Sequence, residues 1–154
     1  MKRTLLVCAV LLAYALPVLA AGHQHPLPRG YTTWKKSIRK VVSDKSSLFY
    51  GVHYLYADKK ALQGYRAGNR FPEGSRIVVE HFAIRPGNTA VDGPKNMVVL
   101  MVKDKRQKAT GGWLYAGYTA QGKPSGLDTV ANCFTCHQKE AGRDYVFSGS
   151  ADFR

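Results

Sequence analysis

Leu48-Phe49-Tyr50-Gly51-Val52-His53-Tyr54-Leu55-Tyr56-Ala57 is the run whose reading decides the fold. Tyr50, Val52, Tyr54 and Tyr56 fall on one side of an extended chain, and Phe49, Gly51, His53 and Leu55 on the other. A two-residue period of aromatic and branched side chains is the pattern of a strand with bulky, half-buried faces. Three more such runs follow. Arg76 to Ile84 puts Ile77, Val79, His81 and Ala83 on one face, Asn96 to Lys103 is rich in valine, and Trp113 to Thr119 follows the Gly111-Gly112 turn. Pro72-Glu73-Gly74 is a turn signal, and residues 85–94 read as a loop.

Helical signals are fewer. Asp58 caps a short helix over Lys59 to Arg66 that stops at Gly68. Trp34, Ile38, Val41 and Val42 have helical spacing, which predicts a helix over Thr33 to Val42. A last helix is expected from about Asp128. The order is helix, strand, helix, three strands, helix. Short strands joined by turns imply an α+β chain, mainly an antiparallel sheet with flanking helices, and argue against an all-helical bundle.

The last expected helix carries Cys133-Phe134-Thr135-Cys136-His137. Cys-x-x-Cys-His is the attachment pattern of a c-type haem: two thiols add to the two vinyl groups of one porphyrin, and the next histidine binds the iron. The alternatives are a local disulfide, a redox dithiol or half a zinc site. A redox dithiol wants a βαβ setting, and a structural zinc needs a fourth ligand and a second pair. The only other cysteine, Cys8, lies in a segment expected to be removed. The sequence therefore predicts one covalent haem c, with Cys133 and Cys136 as thioether donors and His137 as axial iron ligand.

That segment supports the same conclusion. Lys2 and Arg3 precede an apolar run from Leu5 to Leu16, and Val18-Leu19-Ala20 is a small-x-small cleavage pattern. Residues 1–20 are expected to be a signal peptide and residues 21–154 one exported cytochrome domain, periplasmic and without a membrane span. Residues 22–30 read as a loose arm. The net charge of +13 is spread along the chain, which suits an exported protein or docking to an acidic redox partner. It does not suggest nucleic-acid binding, because nucleic acid is absent from that compartment.

The haem motif comes late. Gln138 to Arg154 contains no Met, His or Cys, so the distal methionine of small electron-transfer cytochromes has no source there. Met97, Met101, His53, His81 and several lysines remain as donors for the sixth position, with core packing the plainer role for both methionines. With none of them bound, the iron is open to small molecules.

Several segments resemble the cytochrome P-460 / cytochrome c′-beta family. They are Tyr65-Arg66-Ala67-Gly68 leading to Phe71-Pro72-Glu73-Gly74-Ser75, the strand with Glu80, Lys103-Asp104 before Gly112-Trp113, and Lys139-Glu140-Ala141 with Asp144-Tyr145-Val146-Phe147 after the haem motif. The resemblance implies an antiparallel-sheet fold, one c-type haem and an open distal site. Its P-460 branch is implied to oxidise hydroxylamine and to carry a strand lysine bonded to the porphyrin. That lysine would stand just before Glu80, where this chain has Val79, and valine has no nucleophilic nitrogen. The c′-beta branch lacks the cross-link and lines its distal side with aromatic rings. The position of Phe49 matches such a ring, with Phe82 a second candidate although its strand parity sets it opposite Val79. Distal-pocket candidates are therefore Phe49, His53, Val79, His81 and Phe82. The expectation is a cytochrome that binds nitric oxide or a similar nitrogenous ligand. The rivals are a hydroxylamine-oxidising enzyme and a plain electron carrier. The resemblance also implies a homodimer, although no residue of the sequence marks a subunit interface.

Overall fold

The computed structural model describes residues 25–154. The signal peptide expected over residues 1–20, with Cys8, and His23 of the arm lie outside the described residues.

Six strands form one antiparallel sheet: β1 Lys35–Lys36, β2 Lys40–Val42, β3 Gly51–Ala57, β4 Arg76–Arg85, β5 Asn88–Lys103 and β6 Trp113–Thr119. The main path is β1-β3-β4-β5-β6, with β2 also pairing β3. Helix α1, Lys59–Arg66, connects β3 to β4. The fold is α+β, as the strand alternation and the single capped helix imply. Asp58 accepts a hydrogen bond from the Ala61 amide (2.8 Å) and from Arg76 Nε (2.9 Å), so one carboxylate both starts α1 and ties it to β4.

Register turns the two-residue period into rows across the sheet. Leu55 lies opposite Val79, Val79 opposite Val99, and Val99 opposite Gly117. The next row runs Ala57, Ile77, Met101, Tyr115. These rows build the inner core with Trp113, Cys133, Phe134 and Val146. Gly117 ends its row without a side chain for a steric reason: a Cβ there would lie 2.9 Å from Leu127 Cβ. Leu127 packs on the inner core through that gap and leads the chain into its C-terminal helical segment.

The other parity, Tyr56, Val78, Val98, Leu100, Val102, Ala116 and Tyr118, makes a second core on the outer face. Leu27, Tyr31 and Trp34 cover it. The arm read as loose is therefore packed over its described part, and the Tyr118 hydroxyl donates to the His25 carbonyl. A bare sheet face of this size must be covered, and the N-terminal segment supplies the cover.

Three element predictions change. No helix forms over Thr33 to Val42; a 3-10 turn, Tyr31–Thr33, is followed by β1 and β2. The competing force is the open edge of β3. Lys36 and Val41 pair with Tyr56 and Val52, and between them Ser37 exchanges two hydrogen bonds with Leu55. Residues 85–94 are not a loop but a hairpin tip, because β5 begins at Asn88 after Gly87 turns at φ 74°. Register shifts after His81 let Gly93 approach the Ala83 carbonyl, where a Cβ would stand 2.8 Å away. The C-terminal helix is mixed: a π-turn over Val130–Phe134, one α turn over Thr135–His137 (α2), then 3-10 turns to Arg143.

Candidate functional site

The π-turn begins where Asp128 accepts hydrogen bonds from the Val130 and Ala131 amides (3.1 and 3.0 Å). A π-turn widens a helix locally and recurs at functional sites. Here it sets Cys133, Cys136 and His137 along one wall of a cavity of about 350 Å³. That size is within the range of about 300–1,000 Å³ for cofactor sites. Both cysteines are free thiols, so the disulfide alternative is not formed. Burial pushes the Cys133 thiol up to about 11. Among the described residues, no group of three or more His, Cys, Asp or Glu side chains is arranged to hold a metal ion.

His137 is oriented from behind. Its Nδ1 lies 2.6 Å from the Tyr145 carbonyl, and a carbonyl only accepts, so Nδ1 carries the proton and donates. Nε2 is left as the free lone pair, the tautomer a metal needs. Burial lowers the imidazole below its ordinary range, which keeps it neutral. Tyr115 and Phe147 meet the ring edge to face, with centroids at 5.2 and 5.0 Å.

The facing wall is the inner side of the sheet: Leu55, Ile77, Val79, Val99 and Met101, with Phe49, His53 and His81 toward the β2 end. His53 and His81 are register partners on β3 and β4, and their rings stand 4.9 Å apart. Phe49 meets both edge to face at 6.2 and 6.3 Å. His53 Nε2–H donates to the Phe49 carbonyl (3.0 Å), and His81 Nε2–H to the Tyr50 carbonyl (3.1 Å). Burial first, then the neighbouring His81, pushes His53 down to about 4; burial also lowers His81. Both are thus neutral near pH 7, with their N–H groups committed to backbone. Gly51 makes the His81 placement feasible, because a Cβ there would lie 2.6 Å from His81 Nε2.

Four of the five distal candidates, Phe49, His53, Val79 and His81, therefore line one cavity opposite the Cys-x-x-Cys-His wall. Phe82 does not: its ring packs on Tyr54 at 5.8 Å, on the outer face that its parity demands. Met101 lines the cavity, while Met97 packs beside it in the inner core. Lys40 also lines the cavity, with its Nζ held by Asp152 at 2.8 Å. Sequence reasoning missed Lys40, because its position on β2 was assigned to a helix. It also missed the Tyr145 carbonyl, since a backbone acceptor has no residue-type signature.

The residues fit a haem. A mostly apolar cavity suits a macrocycle, two thiols and an imidazole with a free Nε2 stand on one wall, and His81 Nδ1 and the Tyr115 hydroxyl are buried without partners near it. The family model described as Cytochrome P460 matches residues 28–148. The chain belongs to that family and is a haem-binding cytochrome. No curated protein matches the chain.

Proposed function

From membership of the Cytochrome P460 family, we propose that the chain is a monohaem c-type cytochrome that binds nitric oxide or a similar small ligand at an open iron face. Cys133 and Cys136 would hold the porphyrin through thioethers, and His137 Nε2, with its lone pair free, would bind the iron. When bound, the haem would supply an iron centre able to take a small neutral ligand. The chain scavenges or relays nitrogen oxides in the periplasm after export. No helix among the described residues is long and apolar enough to cross a membrane.

The observation that carries this reading is the unequal pair of cavity walls. One wall holds the thiols and the oriented imidazole; the other is Phe49, Leu55, Ile77, Val79 and Val99, with two imidazoles whose N–H groups are already used. Bound dioxygen draws charge and gains from a hydrogen-bond donor. Neither imidazole has a donor to give, while neutral diatomics such as nitric oxide need none. Val79 also lacks the amine that a porphyrin cross-link before Glu80 requires, and the lysine that lines the cavity, Lys40, is engaged with Asp152.

The test is ligand discrimination by the purified ferrous protein, followed by stopped-flow absorption. The proposal expects tight uptake of nitric oxide and carbon monoxide, weak dioxygen binding, and a mass equal to the processed chain plus one haem. A haem–lysine adduct with hydroxylamine oxidation would contradict it in favour of the enzyme.

A further inference from the structure

The carbonyl that orients His137 is itself held in an uncommon way. Asp144 and Tyr145 both have left-handed backbones, at φ 52° and 61°. Two consecutive non-glycine residues in that region are disfavoured and persist only where surroundings over-determine them. Three anchors converge on Asp144. Its carboxylate accepts from Lys103 Nζ and from the Phe71 amide (3.1 Å), and its carbonyl accepts from Trp113 Nε1 (2.9 Å). The Lys103 and Asp144 side chains are only 16% and 20% exposed, so solvent screens this ion pair little. Lys103 is the last residue of β5 and Trp113 the first of β6, so the anchors belong to the rigid sheet. Tyr145 then fits against Gly111, where a Cβ would lie 2.3 Å from the tyrosine ring.

We propose that Lys103 and Asp144 are positioning residues that transmit the rigidity of the sheet to the Tyr145 carbonyl and thereby set the strength of the bond between His137 and the haem iron. The inference rests on His137 being the axial ligand. A short, fixed Nδ1–H···O bond shifts electron density toward Nε2, and a stronger donor strengthens the metal bond and favours the oxidised iron. If the left-handed pair relaxes, the carbonyl swings away and the imidazole becomes a weaker donor.

The experiment compares Lys103→Met and Asp144→Asn with the unsubstituted holoprotein, reading the ferrous iron–histidine stretching band by resonance Raman and the reduction potential by titration. Asparagine tolerates the left-handed backbone and keeps an acceptor for the Phe71 amide, so that variant removes the ion pair with least damage. Positioning predicts the same direction in both variants: the band moves to lower wavenumber and the potential rises, while Lys103→Arg restores both in large part. A plain charge effect would move the potential in opposite directions, since one variant removes a cation and the other an anion, and would overturn the proposal. Unchanged bands in both variants would overturn it alone. Absence of any iron–histidine band in the unsubstituted protein would overturn the reading of a five-coordinate iron held by His137, and this inference with it.

Discussion

The two faces of the sheet are made from alternate residues of the same strands, yet they are built for different tasks. On the outer face a buried carboxylate, Glu80, is fully engaged: Tyr31 and Tyr56 hydroxyls and Lys95 Nζ donate to it at 2.8, 3.0 and 3.0 Å. On the inner face, one residue further along β4, His81 keeps a buried Nδ1 with no partner beside an apolar cavity. A buried polar group left unpaired costs stability, so proteins keep few of them. The contrast teaches that the outer face spends its polar groups on holding the N-terminal segment, while the inner face tolerates imperfect packing for the sake of a bound group.

Variants can break this contrast. His137→Ala has the largest expected effect. It removes the proposed axial donor from the helical wall that faces the inner side of the sheet, so the ferrous spectrum should lose its histidine-ligated character and carbon monoxide affinity should change strongly, while the melting of the outer-face core is affected least. A spectrum like that of the unsubstituted protein would remove His137 from its role. Glu80→Gln should act the other way, lowering stability by about 1–3 kcal/mol because two hydroxyls and an ammonium lose part of a charged acceptor. Urea denaturation measures it, and the ferrous spectrum of the remaining folded protein should not change.

Smaller effects sharpen the comparison. Phe49→Val takes a ring from beside both histidines, so carbon monoxide association should quicken several-fold with little change in stability. Equal flash-photolysis rates would make Phe49 a packing residue only. Acidification should reach the two faces in turn. His53 is depressed from 6.5 to about 4, so the unfolded chain binds the extra proton first, and its contribution to stability is lost as pH falls across that window. Glu80 is also depressed: burial opposes ionisation, but hydrogen bonds from Tyr31, Lys95 and Tyr56 outweigh it. Its contribution is present above the ordinary carboxylate range and is lost only at lower pH, as the folded carboxyl takes up its proton. His53→Leu should therefore make the stability profile shallower between about pH 6.5 and 4, with the lowered His81 and His137 keeping part of the slope, and leave the later fall in place. Chemical denaturation at stepped pH reads both segments.

What could be read beforehand follows the same division. Strand alternation is local, so β3, β4 and β6 and the face shared by His53, Leu55, Val79 and His81 were legible from side-chain order alone. So were the Asp58 cap and the Cys-x-x-Cys-His wall, whose signals span a few residues. Edge pairing is not local. Lys35 to Val42 has helical spacing, and only the open edge of β3 turns it into strands. The hairpin tip needed register shifts between β4 and β5 that no single segment encodes. The support of His137 was hidden for a further reason, because it runs through a backbone carbonyl whose neighbour, Asp144, is held by residues 31 to 73 positions away in sequence.

The central claim is an iron held by His137 on the helical wall and left open toward the sheet. The absorption spectrum of the purified ferrous protein before and after carbon monoxide tests it most directly. The account predicts a high-spin, five-coordinate spectrum that converts fully to a low-spin carbonyl form. A low-spin, six-coordinate spectrum in both oxidation states, unaltered by carbon monoxide, would mean that Met101, His53, His81 or another side chain already fills the open face, and would contradict it.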